Sequence, residues 1–231
     1  MKSIGAIFYK QLRDLIKNRM VLIQFMVFPL VALIFTLMVA RPNDSIPDTM
    51  FITMFAGIFA GMTLLTTTAG IIAEDRERRS LRFLVMAGVK PYQYLLGIGG
   101  VMLAASIVIS AIFALMGGFT GMDLIKFMAA MVLGSIASIL LGATIGIISK
   151  NQQTATSLAM PIGMVLGFTP MLALFNQTVG TIFNIFYTMQ VNVLVNDFST
   201  GFAKPGLIIG ANVAIFAILF VIAYARKGLR F

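Results

Sequence analysis

Six uncharged stretches constrain this sequence more than any other feature. Each has about the 20 residues that cross the hydrocarbon of a bilayer as an α-helix, or slightly more. They lie near residues 20–40, 51–73, 95–119, 127–149, 154–174 and 206–225. The chain is 59% hydrophobic and only 11% charged, whereas about a quarter of the residues in a soluble domain are charged. The sequence therefore predicts an all-α membrane protein, with residues 1–231 forming one transmembrane domain of six spans.

Basic residues indicate which side of the membrane each connection occupies. Of the 17 Lys and Arg residues, all but Arg41, Lys126 and Lys204 fall on the side of the two termini. Connections rich in Lys and Arg stay in the cytoplasm. We therefore expect both termini and the connection after the second span to be cytoplasmic, in a plasma membrane of bacterial origin. The net charge of +9 follows from this topology, and no nucleic-acid partner is expected.

The amino-terminal residues 1–19 predict an amphipathic helix that lies in the membrane surface, in contact with lipid. Its apolar side chains recur every three or four residues, at Ile4, Ile7, Phe8, Leu12, Leu15 and Ile16. The opposite face carries the charged residues Lys10, Arg13, Asp14 and Lys17. A plain basic flank that only sets orientation is the alternative, and it explains the charges but not the periodicity.

Residues 175–204 form the one long connection on the outer side. They are too polar to span the bilayer and too apolar for a free loop, and Pro170 and Pro205 bracket them. Irregular backbone at membrane depth must be covered by protein or line a wet cavity. A re-entrant or interfacial helical pair is therefore predicted before the sixth span.

Small residues recur at every fourth position of the fourth span. They are Gly134, Ser138, Gly142 and Gly146. This spacing lets two helix backbones approach closely. The pattern is compatible both with packing among the helices of one chain and with a seam between two chains.

The predicted spans contain no acid or base, although ion-coupled transporters commonly keep ionisable residues there. Their polarity comes from groups such as Thr63, Thr66 and Thr67. Hydroxyls in helices usually bond to their own backbone, so we expect a structural role for these threonines. Lining of a transport path is the alternative.

The sequence offers no catalytic residues. It lacks the Gly-x-x-x-x-Gly-Lys loop that cradles nucleotide phosphates, and it has no cysteine and no histidine. We therefore expect no metal site, no cofactor and no enzymatic activity in this chain. Any energy for work must come from elsewhere.

Residues 74–90 contain the densest charge in the middle of the chain, and they predict a cytoplasmic helix between the second and third spans. One face of that helix would contain Glu74, Glu77, Leu81, Leu84, Val85 and Gly88. The acidic residues would stand in its first turns, where the helix dipole favours them. An apolar surface with charged neighbours suits a groove on a soluble partner. Alternatively, the basic residues only hold the loop inside, which leaves the three acidic residues unexplained.

This segment resembles the cytoplasmic segment of ABC-2 exporter permeases, the membrane subunits of ATP-binding-cassette transporters. The matching residues are Glu74, Glu77, Arg78, Ser80, Leu81, Leu84, Pro91, Gln93, Leu95 and Gly97. The plan of six spans with a basic amino-terminal helix is also similar to that family. Two departures are Arg79, where the family usually has Gly, and Gly88, where it often has Pro.

The resemblance implies a division of labour. Two permease chains, identical or homologous, would enclose a path, and separate ATPase subunits would bind ATP and Mg. Coupling to the ATPases would run through Glu74, Glu77, Arg78, Leu81 and Leu84. The small outer face and apolar spans favour an amphiphilic substrate, such as a lipid-like compound, a drug or an antimicrobial peptide. A stand-alone channel or secondary carrier, or a non-transporting membrane scaffold, are the alternatives.

Overall fold

The computed structural model describes residues 2–80, 83, 86, 88–199 and 201–228, and no strand occurs among them. Its helices are α1 (Lys2–Lys17), α2 (Arg19–Phe35), α3 (Met50–Glu77), α4 (Pro91–Met116), α5 (Gly121–Ile148), α6 (Gln152–Phe175), α7 (Gln177–Phe183), α8 (Tyr187–Asn196) and α9 (Ala203–Ala223). A π-helical turn continues α2 over Thr36–Ala40, and another continues α9 over Tyr224–Gly228. A third, Phe59–Thr63, lies within α3.

The six predicted spans are confirmed. Helices long and apolar enough to cross a membrane cover Arg19–Ala40, Met50–Glu77, Tyr92–Met116, Gly121–Ile148, Gln152–Phe175 and Ala203–Arg226. The second span runs past its predicted end at Ala73 as far as Glu77, because charged residues can continue a helix beyond the apolar layer. The chain is a multi-pass membrane protein.

Helix α3 lies at the centre of the bundle. Within its span-length apolar window 72% of the residues are buried, against 22% for α2 and for α9. Its neighbours are α5 on one side and α6 on another, and it also contacts α2, α4 and α8. A movement of α3 would therefore affect its contacts with most of the other helices.

The small residues of the fourth span bring α5 against α3. A β-carbon added at Gly146 would lie 2.8 Å from the Ala69 carbonyl oxygen, and one at Gly142 would meet the Leu65 carbonyl oxygen even more closely. The Ser138 hydroxyl donates to the Ala60 carbonyl.

The same face of α5 also contacts α8. The Ser138 hydroxyl is 2.7 Å from that of Tyr187, and a β-carbon at Gly134 would be 2.7 Å from Val191 Cγ2. All four small residues are buried inside one chain. They pack its own helices, and their face is not available to a second chain.

Glycines also bring α3 and α6 together. A β-carbon at Gly61 would lie 3.0 Å from the Gly167 Cα atom, and one at Gly163 would lie 3.2 Å from the Met62 Cα atom. The second and fifth spans therefore touch through their backbones, with little side-chain material between them.

The segment before the sixth span contains a bent helical pair, as predicted. Helices α7 and α8 meet at 119°. Helix α8 is buried against the bundle from Tyr187 to Val191, and Asn212 of α9 donates to the Ile185 carbonyl at 2.8 Å in the bend. At the far end of α8, the Thr53 hydroxyl lies 2.7 Å from Asn196 Oδ1.

Helix α1 packs its apolar face on the first turns of α4. A β-carbon at Gly97 would be 2.5 Å from Ile7 Cγ2, and one at Gly100 would be 3.3 Å from the Phe8 ring. Leu15 is buried, whereas Ile4 and Leu12 are partly buried. Two glycines on α4 thus make room for the amino-terminal helix.

We expect Gly142→Ala to lower the unfolding temperature of the detergent-solubilised protein. The new methyl group would meet the fixed Leu65 backbone, and overpacking of this kind costs about 1–3 kcal/mol. Gly210→Ala in α9 is the matched control, because no atom lies within 4 Å of a β-carbon there. An alanine in that open helical position should be neutral or stabilising. Equal effects of the two substitutions would contradict the close α3–α5 contact.

Candidate functional site

Three consecutive charged residues in the last turn of α3 connect this helix to four other parts of the chain. We call Asp75, Arg76 and Glu77 the joint. Successive helical positions differ in direction, so each of the three side chains reaches a different neighbour.

Asp75 binds α1 and α4. Its Oδ1 accepts from Lys10 Nζ at 3.2 Å, and its Oδ2 accepts from the Tyr94 hydroxyl at 3.1 Å. Tyr94 is fully buried, whereas the Lys10 side chain is 53% exposed. The carboxylate thus provides a partner for a buried hydroxyl and holds the amino-terminal helix through an ion pair.

Arg76 and Glu77 bind the turn between α5 and α6. Arg76 donates to the Ser149 carbonyl at 3.0 Å and also to the Ile147 carbonyl, at the carboxyl end of α5. Glu77 Oε2 accepts from the Gln152 backbone N–H at 3.0 Å, at the amino end of α6. Each charge is opposite in sign to the helix terminus that it contacts, and such contacts contribute about 0.3–1 kcal/mol each at a surface.

The predicted cytoplasmic helix begins later than expected. Helix α3 continues to Glu77, the Arg78 N–H bonds the Glu74 carbonyl at 2.9 Å, and Arg79 has a left-handed φ of 59°. Glu74 and Glu77 therefore lie in the last turns of the second span. The prediction that they begin a new helix and share its face with Leu81 and Leu84 is wrong for the two acidic residues.

Leu81 and Leu84 lie outside the described residues. Beyond Arg79, the described positions Ser80, Phe83 and Met86 are helical. The Glu74 carboxylate pairs with Arg78 at 2.7 Å, but the Arg78 side chain is 73% exposed. An exposed pair of this kind contributes little to stability.

Phe83 and Met86 are exposed apolar residues among the described positions of this helical segment. They are 65% and 64% exposed, and they are three positions apart, which places them on one side of a helix. The predicted face with Glu74 and Glu77 does not include Phe83, because that prediction assumes one helix starting at Glu74. The left-handed conformation of Arg79 interrupts the helix, so Phe83 does not follow the helical register of Glu74.

A cleft of about 400 Å³ separates α1 from the end of α3. Its lining residues include Lys10, Asp14, Lys17, Glu74, Asp75 and Arg78. A second cleft of about 420 Å³ shares Lys10, Asp75 and Ser80 with it and extends to Phe83. The Lys10–Asp75 ion pair therefore lies between a charged hollow and a mainly apolar one that reaches Phe83.

The threonines of the second span are buried. The Thr66 hydroxyl bonds back to the Met62 carbonyl at 2.9 Å and accepts from Gln24 Nε2 at 3.2 Å. The hydroxyls of Thr63 and Thr67 have no hydrogen-bond partner among the described residues. Thr66 thus ties α2 to α3, and path lining by the three threonines stays a prediction.

A third hollow lies at the end of the bundle opposite the joint, between α3, α6 and α8. It has a volume of about 300 Å³. Methionine side chains and two amides line it, including Met50, Met54, Met171, Asn192 and Asn196. No group of Asp, Glu, His or Cys suited to a metal ion occurs among the described residues.

We expect Asp75→Ala to destabilise the protein more than Lys10→Gln. The alanine leaves the buried Tyr94 hydroxyl without its acceptor, at a cost of about 1–3 kcal/mol, whereas an exposed ion pair contributes at most about 1 kcal/mol. Unfolding temperatures in detergent measure the difference. Adding Tyr94→Phe to Asp75→Ala should recover part of the loss, and equal losses in the two single variants would argue against the joint.

Arg79→Gly should raise the unfolding temperature. A left-handed conformation costs an ordinary residue about 1–2 kcal/mol, and glycine adopts it freely. Arg78→Gly is the control, because Arg78 has a φ of −76° and gains nothing from glycine. Stabilisation by both substitutions, or by neither, would be inconsistent with strain at Arg79.

Comparison with known proteins agrees with this architecture. A family model described as "ABC-2 family transporter protein" matches residues 3–225, which include the joint, the bent helical pair and all six spans except the last residue of the sixth. A comparison with curated proteins found no match. The family model covers most of the chain, so the protein belongs to the ABC-2 family of transporter proteins.

Proposed function

We propose that the chain is the membrane subunit of an ATP-driven exporter and works as a pair of permease chains, identical or homologous. Separate ATPase subunits would bind ATP and Mg, because this chain carries no nucleotide-binding loop in its sequence. The family match supports a transporter subunit and favours this function over a scaffold or a stand-alone carrier. The direction, the pairing and the ATPase contact are parts of the proposal.

The observation that carries this proposal is the joint. It lies directly beside the exposed segment with Phe83 and Met86, and it bonds α1, α4 and the α5–α6 turn to α3. A displacement applied to the exposed segment by an ATPase would therefore reach several spans together. Transmission of this kind is a rigid-body movement of packed helices.

The charge distribution supports a cytoplasmic position for the joint. All but three of the 17 basic residues fall on this side, whereas four of the 8 acidic residues, Asp44, Asp48, Asp123 and Asp197, fall on the other. Cytoplasmic connections carry the excess of Lys and Arg. The exposed segment would then face the compartment that contains ATP.

The outer hollow supports an amphiphilic substrate. Methionine side chains adapt their shape to different apolar groups, and the amides of Asn192 and Asn196 lie in the same hollow. A site with an apolar wall and a few polar groups fits a molecule that has both an apolar body and a polar end. A lipid-like compound, a drug or a membrane-active peptide has this character.

Phe83→Ser should abolish recovery of an ATP-binding-cassette ATPase with the tagged chain from native membranes, and with it ATP hydrolysis in the eluate. The serine removes the exposed apolar contact that we assign to the ATPase groove, as truncation of a central aromatic residue does in other interfaces. Tyr92→Ser is the control, because Tyr92 is an aromatic residue 53% exposed at the start of α4.

The partners are identified by mass spectrometry, and insertion of each variant is checked by its yield in the membrane fraction. Normal ATPase recovery with Phe83→Ser would refute the docking role of Phe83. Recovery of no ATPase by the unmodified chain, under conditions that preserve known complexes, would refute the exporter proposal as a whole.

A further inference from the structure

Helix α1 has a second apolar edge that the rest of the chain leaves uncovered. Ile7 and Phe8 pack on α4, but Tyr9 is 69% exposed and Ile16 is 60% exposed. Together with Leu12, Arg13 and Lys17, these two residues line an open groove of about 240 Å³. Its floor is almost wholly apolar, and two basic side chains border it.

The two basic residues differ from Lys10 on the same helix. Lys10 is paired with Asp75, whereas neither Arg13 nor Lys17 has an ion-pair partner among the described residues. They are four residues apart and therefore neighbours on the helix surface, where like charges repel. An anionic group bound between them would remove this repulsion.

The groove also has a defined position. Helix α1 ends at Lys17, and the first span begins at Arg19, with the Asn18 side chain accepting from the Val21 N–H at 3.3 Å. The groove therefore lies where the chain enters the bilayer, at the level of lipid head groups. Basic residues on an amphipathic helix at this level attract anionic lipids.

We propose that this groove binds an anionic phospholipid. The phosphate would lie between Arg13 and Lys17, and an acyl chain would follow the edge formed by Tyr9, Leu12 and Ile16. An amphiphile of this class satisfies both the two cations and the apolar floor, whereas a small soluble anion satisfies only the cations.

The bound lipid would have a consequence for the joint. Helix α1 carries the groove on one side and Lys10, the partner of Asp75, on another. A lipid that fixes α1 against the membrane surface would hold the Lys10–Asp75 contact closed. Anionic lipid would then affect ATP-driven activity, and this consequence rests on the proposed function. Lipid binding itself does not depend on the proposed function.

Binding is measured on the full chain purified without an ATPase and loaded with equal parts of phosphatidylglycerol and phosphatidylcholine that have the same acyl chains. Native mass spectrometry then counts the retained lipid. We expect preferential retention of phosphatidylglycerol, reduced about tenfold or more in the Arg13→Gln/Lys17→Gln variant. The unfolding temperature of this variant in phosphatidylcholine alone should match that of the unmodified chain, which shows that it is folded.

The matched control is Lys150→Gln/Arg226→Gln, which removes the same charge from the same side of the membrane outside the groove. It should retain phosphatidylglycerol normally, and an equal loss would show general charge attraction and overturn the site. Ile16→Asn, which keeps both cations, should also weaken retention. An excess of glycerol 3-phosphate should displace nothing, because displacement would indicate a site for soluble phosphates instead.

The absence of native cysteine allows a second measurement in membranes. The variant Ile16→Cys, labelled with a photoreactive maleimide, should form adducts with phosphatidylglycerol beyond its share of the bilayer. Adducts mainly with a second copy of this chain, with an ATPase, or with lipids in their bulk proportion would each overturn the proposal. A failure of the exporter proposal would leave these binding results unchanged.

Discussion

The arrangement of the helices around the joint depends on the opposite charges of two adjacent residues. Arg76 binds the carboxyl end of α5, and Glu77 binds the amino end of α6. Helix termini carry partial charges because their last carbonyl and N–H groups lack partners within the helix. A short turn between two antiparallel helices presents one terminus of each sign side by side. An adjacent cation and anion on a third helix can satisfy both, and this fixes α3 relative to the fourth and fifth spans.

The apolar part of the bundle fixes the same helices by a different interaction. In lipid, the hydrophobic effect does not drive helices together, so close backbone contact takes over this role. Gly142 and Gly146 of α5, and Gly163 and Gly167 of α6, let both helices approach the backbone of α3. The joint therefore lies at the end of the part of α3 that packs closely against both α5 and α6. A contact made at one end of such a helix is transmitted along it.

The spans could be predicted from the sequence because a bilayer sets both their length and their composition. The bent outer pair could be predicted for a related reason, since residues 175–204 are neither apolar enough to cross nor polar enough to leave. The joint could not be predicted. The partners of Asp75 and Glu77 include Lys10 and Gln152, which are 65 and 75 residues away in the sequence. Local helical periodicity carries no information about contacts at that separation.

The helical segment after Arg79 shows that periodicity can also fail to predict which residues share a face over a short stretch of sequence. A helical projection from Glu74 assumes one unbroken helix, but a single left-handed residue, Arg79, interrupts the helix between Glu77 and Phe83. The positive φ at this position is consistent with the resemblance to ABC-2 permeases, because that family usually has Gly there. Gly is the residue that most readily adopts a positive φ. Arg79 therefore adopts a backbone conformation that glycine would adopt without strain.

The charged contacts of α3 lie at one end of the helix, apart from its apolar contacts. A charged network at membrane depth would be costly, and the charged contacts of α3 with neighbouring helices lie at its carboxyl end, in the joint. Within the bilayer, the π-helical turn Phe59–Thr63 is the one irregularity of α3, and Ser138 donates to its Ala60 carbonyl. Below that turn, α3 is an unbroken α-helix from Leu64 to Glu77. A displacement of the joint would therefore act on one continuous α-helical segment, which begins at the π-helical turn that Ser138 connects to Tyr187 of α8.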